Sequence, residues 1–288
     1  MTKKIGFIGA GKAGFSLGKH IAEKAGGAFT VLGYYSRNHE SAEEAAAFTG
    51  ARAFKTPGAL AGESDVILLT VPDGQIAKVW ADLKPGAKAG LIVGHLSGAL
   101  DSGIFSDPEN PAQSSCSFGS MHPILSMHDK ETAYRKLPGA YFSVEGDKPF
   151  LGFAEALLSA LGNPFCRIDK SNKILYHAAS VLVSNLVCAL AYKGMDLFKE
   201  CDLDGDFAEN AWRSLFIGNA ENIYTLGPVL ALTGPVERAD AATVKRHLET
   251  LTGETREIYL LLSRVITEAA ELKNPERDFT ELKEVLRD

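Results

Sequence analysis

The chain has only four cysteines, Cys116, Cys166, Cys188 and Cys201, and no two stand at C-x-x-C spacing. That excludes short-range zinc motifs and a thioredoxin-like dithiol, and leaves reduced thiols in a cytoplasmic protein as the expectation. Positive charge is not in excess: 30 Lys and Arg face 36 Asp and Glu, for a net charge of −6. Nucleic acid and an anionic membrane surface are therefore not expected as partners. No uninterrupted apolar run is long enough to span a bilayer. The most apolar later stretch, residues 178–192, falls short and contains Ser184 and Asn185. The apolar run near the N-terminus is broken by glycine and does not read as a signal peptide. Internal repeats and low-complexity tracts are also missing.

What remains is a chain with the means to build cores. Hydrophobic residues make up 45% of 288 positions, and the length exceeds one usual domain. Two domains are predicted, residues 1–168 and 169–288.

The first domain is organised around its opening segment. Residues 5–9 read as a buried strand. The turn Gly9-Ala10-Gly11-Lys12-Ala13-Gly14 follows, and then Leu17, Gly18 and Ile21 recur at helical spacing. Strand, G-x-G-x-x-G, helix is the context a dinucleotide-binding loop requires. Gly9 permits the tight turn, Gly11 lets backbone approach a pyrophosphate, and Gly14 lets helix and strand pack closely. The helix start adds free N–H groups and the positive end of its dipole. The competing reading is a glycine-rich turn that binds nothing.

The second strand, residues 29–35, ends in Ser36-Arg37-Asn38. An acidic residue there commonly holds the ribose hydroxyls of NAD. A hydroxyl and a guanidinium suit a 2′-phosphate instead, so NADP is the expected cofactor, unless Arg37 is an ordinary solvated side chain. Residues 41–48 form a helix. The run at 65–71 reads as a parallel strand covered on both faces, and its end, Val71 with Pro72-Asp73-Gly74-Gln75, belongs beside the cofactor at the carboxyl edge of the sheet. A helix at 75–83 and a strand at 91–94 follow, the latter ending in His95-Leu96-Ser97-Gly98. These βα units predict an α/β fold: a doubly wound parallel Rossmann sheet. Residues 97–115 read as a loop, a candidate flap. Another strand end carries Met121-His122-Pro123. Strands at 140–145 and 165–168 flank a helix at 150–161.

After Asp169 the strand pattern stops, and an all-α C-terminal domain is predicted. It opens with one long helix over 171–200, apolar nearly all round. Such a helix should be buried between domains or against a second copy of the chain, so a homodimer is expected. Lys173, His177, Ser180 and Ser184 fall on one stripe of it, with Asn185 nearby. That stripe lines a cleft, or else it is a satisfied core histidine with serines bonding back to the helix. Residues 201–206 resemble the start of a calcium loop, but Phe207 and Arg213 stand where that loop needs Gly and Glu. Asp206 with Glu209 fits a capping box for a helix running to about 226. A loop over 232–240 ends in Asp240 as an N-cap, and three amphipathic helices follow, with breaks at Gly253 and Pro275.

With these segments in place, the sequence resembles Rossmann-like proteins that carry a C-terminal domain of unknown function and are grouped with the NADP oxidoreductases. The resemblance covers nearly the whole chain. It rests on the opening GFIGAGKAG, on His95-Leu96-Ser97-Gly98, on Met121-His122-Pro123, on residues 177–185, and on Thr233-Gly234-Pro235-Val236-Glu237-Arg238-Ala239-Asp240. The group has Gly where this chain has Ala239. Its layout is similar to pyrroline-5-carboxylate reductase, prephenate dehydrogenase and ketopantoate reductase, whose helical second domain, of the 6-phosphogluconate dehydrogenase C-terminal-like kind, dimerises and closes over the nicotinamide. The ketoreductase Lys and Asn, one helical turn apart, are not matched cleanly. His177 with Asn185 is two turns apart, Val181 fills the one-turn position, and Lys173 is the other candidate.

The expected activity is hydride transfer between NADPH and a small carbonyl or imine substrate carrying a carboxylate. His177 is the first candidate proton donor, with His122 and His95 behind it. Ser97 and Asn185 are candidates for positioning the substrate, and Arg238 for pairing with its carboxylate. His95 and His122 could equally cap strands, and Arg238 could pair with Glu237 or Asp240. The alternatives are a non-catalytic NADP-binding sensor and a metal site built from His95, His122, His128 and His177. No short-range ligand spacing supports the metal site, and no metal is expected.

Overall fold

The computed structural model describes residues 2–106 and 115–287. The loop expected over 97–115 thus lies partly outside the described residues, and with it the flap reading. The chain divides into two compact units, Met1–Ser184 and Asn185–Asp288.

The first unit is a sheet of eight strands. In chain order its elements are β1 (Lys3–Ile8), α1 (Lys12–Lys24), β2 (Phe29–Tyr35), α2 (His39–Thr49), β3 (Arg52–Ala53), α3 (Pro57–Glu63), β4 (Val66–Leu69), α4 (Asp73–Leu83), β5 (Ile92–His95), β6 (Ser117–Pro123), β7 (Phe142–Gly146), α5 (Lys148–Leu161), β8 (Phe165–Arg167) and α6 (Lys173–Leu182). The strand order is β3-β2-β1-β4-β5-β6-β7-β8. From β3 to β6 every pairing is parallel, which is the doubly wound layout.

The sheet is buried on both faces, as its unbroken apolar strands require. Ile5, Phe7, Val66 and Leu68 pack with α1, α2 and α5. Ile8, Ile67 and Leu69 point to the opposite face, toward Leu60 of α3 and Ile76 and Trp80 of α4. Two features differ from the sequence reading. The edge formed by β7 and β8 runs against the other strands, because β7 pairs antiparallel with β6. The connection between them, residues 124–141, holds only a 3-10 turn at Ala133–Lys136, so no crossover helix returns the chain to the starting edge. The short β3–α3 unit was not anticipated; two residues of strand carry too little pattern to read.

The helix expected over 171–200 is two helices. α6 stops at Leu182 and α7 starts at Asn185 (Asn185–Glu200). Between them Val183 adopts φ −88°, ψ 0°, and Ser184 N–H donates to the Val181 carbonyl. The serines explain the break: Ser180 Oγ donates to the Tyr176 carbonyl at 3.0 Å and Ser184 Oγ to the Ser180 carbonyl at 2.6 Å, a pattern that bends helices. By length and composition, Lys170–Glu200 is apolar enough to cross a membrane, with a mean hydropathy of 1.8 in its 18-residue window.

The second unit is helical: α7, α8 (Gly205–Ala231), α9 (Ala241–Thr250), α10 (Gly253–Lys273) and α11 (Thr280–Val285). Its core gathers Val236, Val244, Leu248, Leu260, Phe279 and Leu282. The cap of α8 is Asp204, whose carboxylate accepts from the Asp206 and Phe207 N–H groups, and not the Asp206 of the expected capping box. α8 breaks at Gly227, whose φ is 77°, ahead of Pro228. Asp240 caps α9 by accepting from Thr243 N–H at 3.0 Å.

Candidate active site

The turn between β1 and α1 forms a nucleotide cradle. Gly9 has φ +110°, and a Cβ there would stand 2.5 Å from the Thr70 carbonyl oxygen. At Gly14 a Cβ would meet Thr70 Oγ1 at 2.4 Å and the Gly9 carbonyl oxygen at 2.7 Å, whereas one at Gly11 would meet nothing within 4 Å. Two glycines thus let backbone and helix close up, and the middle one faces open space. Gly11 is also the N-cap of α1 and offers no side-chain acceptor to the first helical N–H groups, including those of Lys12 and Ala13. An anion suits that place. Thr70 ties the turn down: its Oγ1 donates to the Gly9 carbonyl at 2.7 Å.

A cavity of about 340 Å³ opens from this turn and is lined by Gly9, Ala10, Gly11, Ser36, Arg37, Val71 and Pro72. Gln75, expected beside the cofactor, lines it too, as do Thr70, Lys78 and Asp82, which were not expected. The residues present fit a dinucleotide: an open glycine for the pyrophosphate, a helix start, and Ser36 with Arg37 at the end of β2.

Asp73 is turned away from that cavity's lining. Its Oδ2 accepts from Ser97 Oγ–H at 2.6 Å. Ser97 Oγ also accepts from the Ala99 and Leu100 N–H groups, which fixes the loop after β5. The Ser97 carbonyl accepts from Lys173 Nζ at 2.9 Å, and Lys173 donates again to Ser120 Oγ at 2.5 Å. Lys173 is 1% exposed. Burial, opposed in part by Glu145, Asp101 and Asp73, pushes its pKa down to about 8.

The three candidate histidines differ sharply. His95 is 0% exposed. Its Nδ1 accepts from Ser97 N–H and its Nε2 meets the Asp101 carbonyl, so both nitrogens serve its own loop. Burial first, and then Lys173, push its pKa down to about 4. Its geometry matches the strand-capping reading. His122, on β6, lies 2.7 Å through Nδ1 from the Tyr176 hydroxyl. Its pKa is likewise pushed down to about 4, chiefly by burial, so its surroundings favour the neutral ring over the imidazolium. His177 is half-buried, and its ring centroid is 6.3 Å from that of His122. Both rings pack on Gly98: a Cβ there would stand 2.7 Å from His177 Cδ2 and 2.9 Å from His122 Nε2.

Asn185 and Arg238 belong to the second unit. Asn185 opens α7. Arg238 sits in the turn before α9, where its N–H donates to the Gly234 carbonyl. Glu237 does not pair with it; Glu237 accepts from Asn274 at 2.9 Å and from Arg277 at 3.1 Å. Among the described residues, no group of three or more His, Cys, Asp or Glu side chains comes together to hold a metal.

Residues 4–97, which carry the cradle, match the family described as NADP oxidoreductase, coenzyme F420-dependent. Residues 140–266 match a domain of unknown function, DUF2520. By these two matches the chain is similar to an NADP-oxidoreductase-like Rossmann domain followed by that second domain. In structure it is similar to a Bacteroides fragilis protein assigned to the NADP oxidoreductases, BF3122 (TM-score 0.71, 22% identity, covering 93% of this chain and 98% of that one). It is similar to protein TM1727 of Thermotoga maritima (TM-score 0.71, 27% identity, 93% and 99%). It also shares its fold with a pyrroline-5-carboxylate reductase of Coxiella burnetii (TM-score 0.60, 17% identity, 95% and 99%). No curated protein matches it in sequence.

Lys173, Ser97, His122 and His177 thus share one cluster in the first unit with Asp73. Ser120 and Tyr176 complete it and were not expected. Ser120 stands two residues before His122 on β6, so it projects to the same face. Nothing in the sequence marks Tyr176 apart from its neighbour His177.

Proposed function

We propose that this chain is an NADPH-dependent reductase of a small carbonyl or imine substrate that carries a carboxylate. One observation supports it above the others. Pro72 lines the nucleotide cavity, the adjoining Asp73 holds Ser97, and the Ser97 carbonyl holds Lys173. Cradle and polar cluster are therefore one connected edge of the sheet, at the carboxyl ends of β1, β4, β5 and β6, where such folds bind their ligands.

NADPH would supply the hydride when bound, leaving as NADP. Ser36 and Arg37 would hold its 2′-phosphate, and Gly11 with the start of α1 its pyrophosphate. The protein's own work is to orient the substrate and manage one proton. His177, half-buried beside Gly98, is the proposed proton donor to the developing alkoxide or amine. Lys173 supplies a fixed positive charge that favours negative charge on the substrate's oxygen. Arg238 is proposed to pair with the substrate's carboxylate, and Asn185 to position the substrate.

The test is turnover on a panel of 2-oxo acids and cyclic imines with NADPH. An oxidised deazaflavin belongs on the panel because the matched family's description names coenzyme F420. His177→Ala should remove turnover and spare NADPH affinity. Arg238→Ala should raise KM for acid substrates and leave neutral analogues unchanged. Full turnover without His177 contradicts its role.

The chain is further proposed to work as a homodimer in the cytoplasm. In the second unit α7 and α8 expose Leu186, Leu190, Tyr192, Leu215, Ile217 and Tyr224, and a cavity of about 630 Å³ between α7 and α8 is walled by Tyr192, Met195, Trp212, Phe216 and Ile217. Apolar surface of that extent marks an interface. A dimeric mass by light scattering in detergent-free buffer supports this; recovery of the chain in the membrane fraction contradicts it.

A further inference from the structure

We infer that Glu145 is the buried counter-charge of Lys173, and that the two together clamp the loop over 97–102 from both ends, so that Gly98 stays seated against His122 and His177. The effect on turnover rests on the reductase reading above; the pairing itself does not.

Lys173 is buried, and a lysine is almost never buried without a partner for its charge. Its two hydrogen bonds go to neutral oxygens, the Ser97 carbonyl and Ser120 Oγ. An ammonium only donates, so both bonds run outward from Nζ and neither brings a negative charge. That charge has to come from a carboxylate close by. Ser120 points to it: in the β6–β7 register it stands directly opposite Glu145. Residues so paired project to one face, with Cβ atoms about 4.5–5.5 Å apart. Burial works against the Lys173 charge, and three carboxylates favour it, Glu145 first and then Asp101 and Asp73. Of the three only Glu145 is buried, where a charge is least screened. His95 and His122 also face Lys173; burial first, and then the Lys173 charge, disfavours a charge on either ring.

Glu145 also reaches the loop. Its Oε1 accepts from Ser102 N–H at 2.8 Å and its Oε2 from Ser102 Oγ–H at 3.0 Å. Lys173 holds the Ser97 carbonyl at the other end of the same loop. Between these two points lies Gly98, on which both candidate histidines pack. Glu145 is therefore a positioning residue, acting through Lys173 and Ser102. Removing one member of such a pair leaves the other as a lone buried charge, which is worse than removing both.

The experiment follows Lys173 by NMR of protein labelled with carbon-13 at lysine Cε, with Lys173→Met identifying its signal. The wild type should titrate at about pH 8. Glu145→Gln keeps an oxygen for Ser102 N–H and removes the charge. It should bring the Lys173 midpoint down to about pH 7 or below and move the alkaline fall of kcat with it, with NADPH affinity unchanged. Glu145→Asp, which keeps the charge, should titrate closer to the wild type. In urea, Glu145→Gln and Lys173→Met should each lower the midpoint, and the double variant should be more stable than the two losses together predict. An unmoved Lys173 titration in Glu145→Gln, or additive losses in urea, overturns the inference. If Glu145→Gln does not fold, the double variant should; a double variant that also fails overturns the pairing. A substrate panel that yields no turnover bears on the reductase reading alone.

Discussion

Ser97 donates a 2.6 Å hydrogen bond to Asp73, and this bond joins the two halves of the site. Asp73 follows Pro72 at the nucleotide cavity, while the Ser97 carbonyl receives Lys173. Ser97→Ala removes a donor to a charged group and the acceptor for two backbone N–H groups. It should lower stability by about 1.5–3 kcal/mol and displace Lys173. Urea unfolding reads the first effect and kcat the second; wild-type values for both would show the bond to be incidental.

Gly11 and Gly14 separate binding from folding. A methyl at Gly14 meets Thr70 Oγ1 and the Gly9 carbonyl, and one at Gly11 meets nothing. Gly14→Ala should cost about 1–3 kcal/mol of stability through overpacking. Gly11→Ala should leave the unfolding midpoint in place and weaken NADPH binding by crowding the pyrophosphate. Equal effects on both properties in both variants would contradict the assignment.

Lys173 sets an upper pH limit. Its pKa is pushed down to about 8, so the charge that favours the developing oxyanion is lost above that pH. A pH–kcat profile should fall with an apparent pKa near 8, and Lys173→Met should lower kcat and flatten the limb. Stability moves the other way. Because the folded pKa lies below the ordinary 10.5, only the unfolded chain holds this proton between about pH 8 and 10.5, so this group's linkage makes stability rise with pH there. His95 and His122, both pushed down from 6.5 to about 4, make stability fall as pH drops from 6.5 towards 4, since only the unfolded imidazoles take up protons in that window.

Ala239 is strained. Its φ is +57°, a left-handed conformation that costs a residue with a Cβ about 1–2 kcal/mol. It is also the position of the 233–240 segment at which this chain departs from the Gly of the resembled group. Ala239→Gly should raise stability by about 1 kcal/mol after the entropy of glycine is counted, readable as a higher thermal midpoint.

The order of β1, β2, β4 and β5 was legible because these strands are mostly apolar runs separated by segments of helical period, whereas the two residues of β3 left no such pattern. The direction of β7 was not legible, since antiparallel and parallel edge strands share the same pattern. The break at Val183 lay hidden in an apolar stretch; the serines were visible, but their bonds to the helix carbonyls were not. The glycine cradle was legible because its chemistry is backbone chemistry. Lys173, by contrast, read as one of two rivals on a helical stripe. Its contacts are Ser97 and Ser120, 76 and 53 residues away, and no local spacing encodes those. His95 and His177 looked alike in sequence, and burial separates them.

The most direct test of the account is a side-by-side fluorescence titration of the purified protein with NADPH and NADH. The account predicts tight NADPH binding, much weaker NADH binding, and loss of the difference in Arg37→Ala. Preference for NADH would contradict the role given to Ser36 and Arg37. Binding of neither would contradict the nucleotide cradle, and the reductase proposal with it.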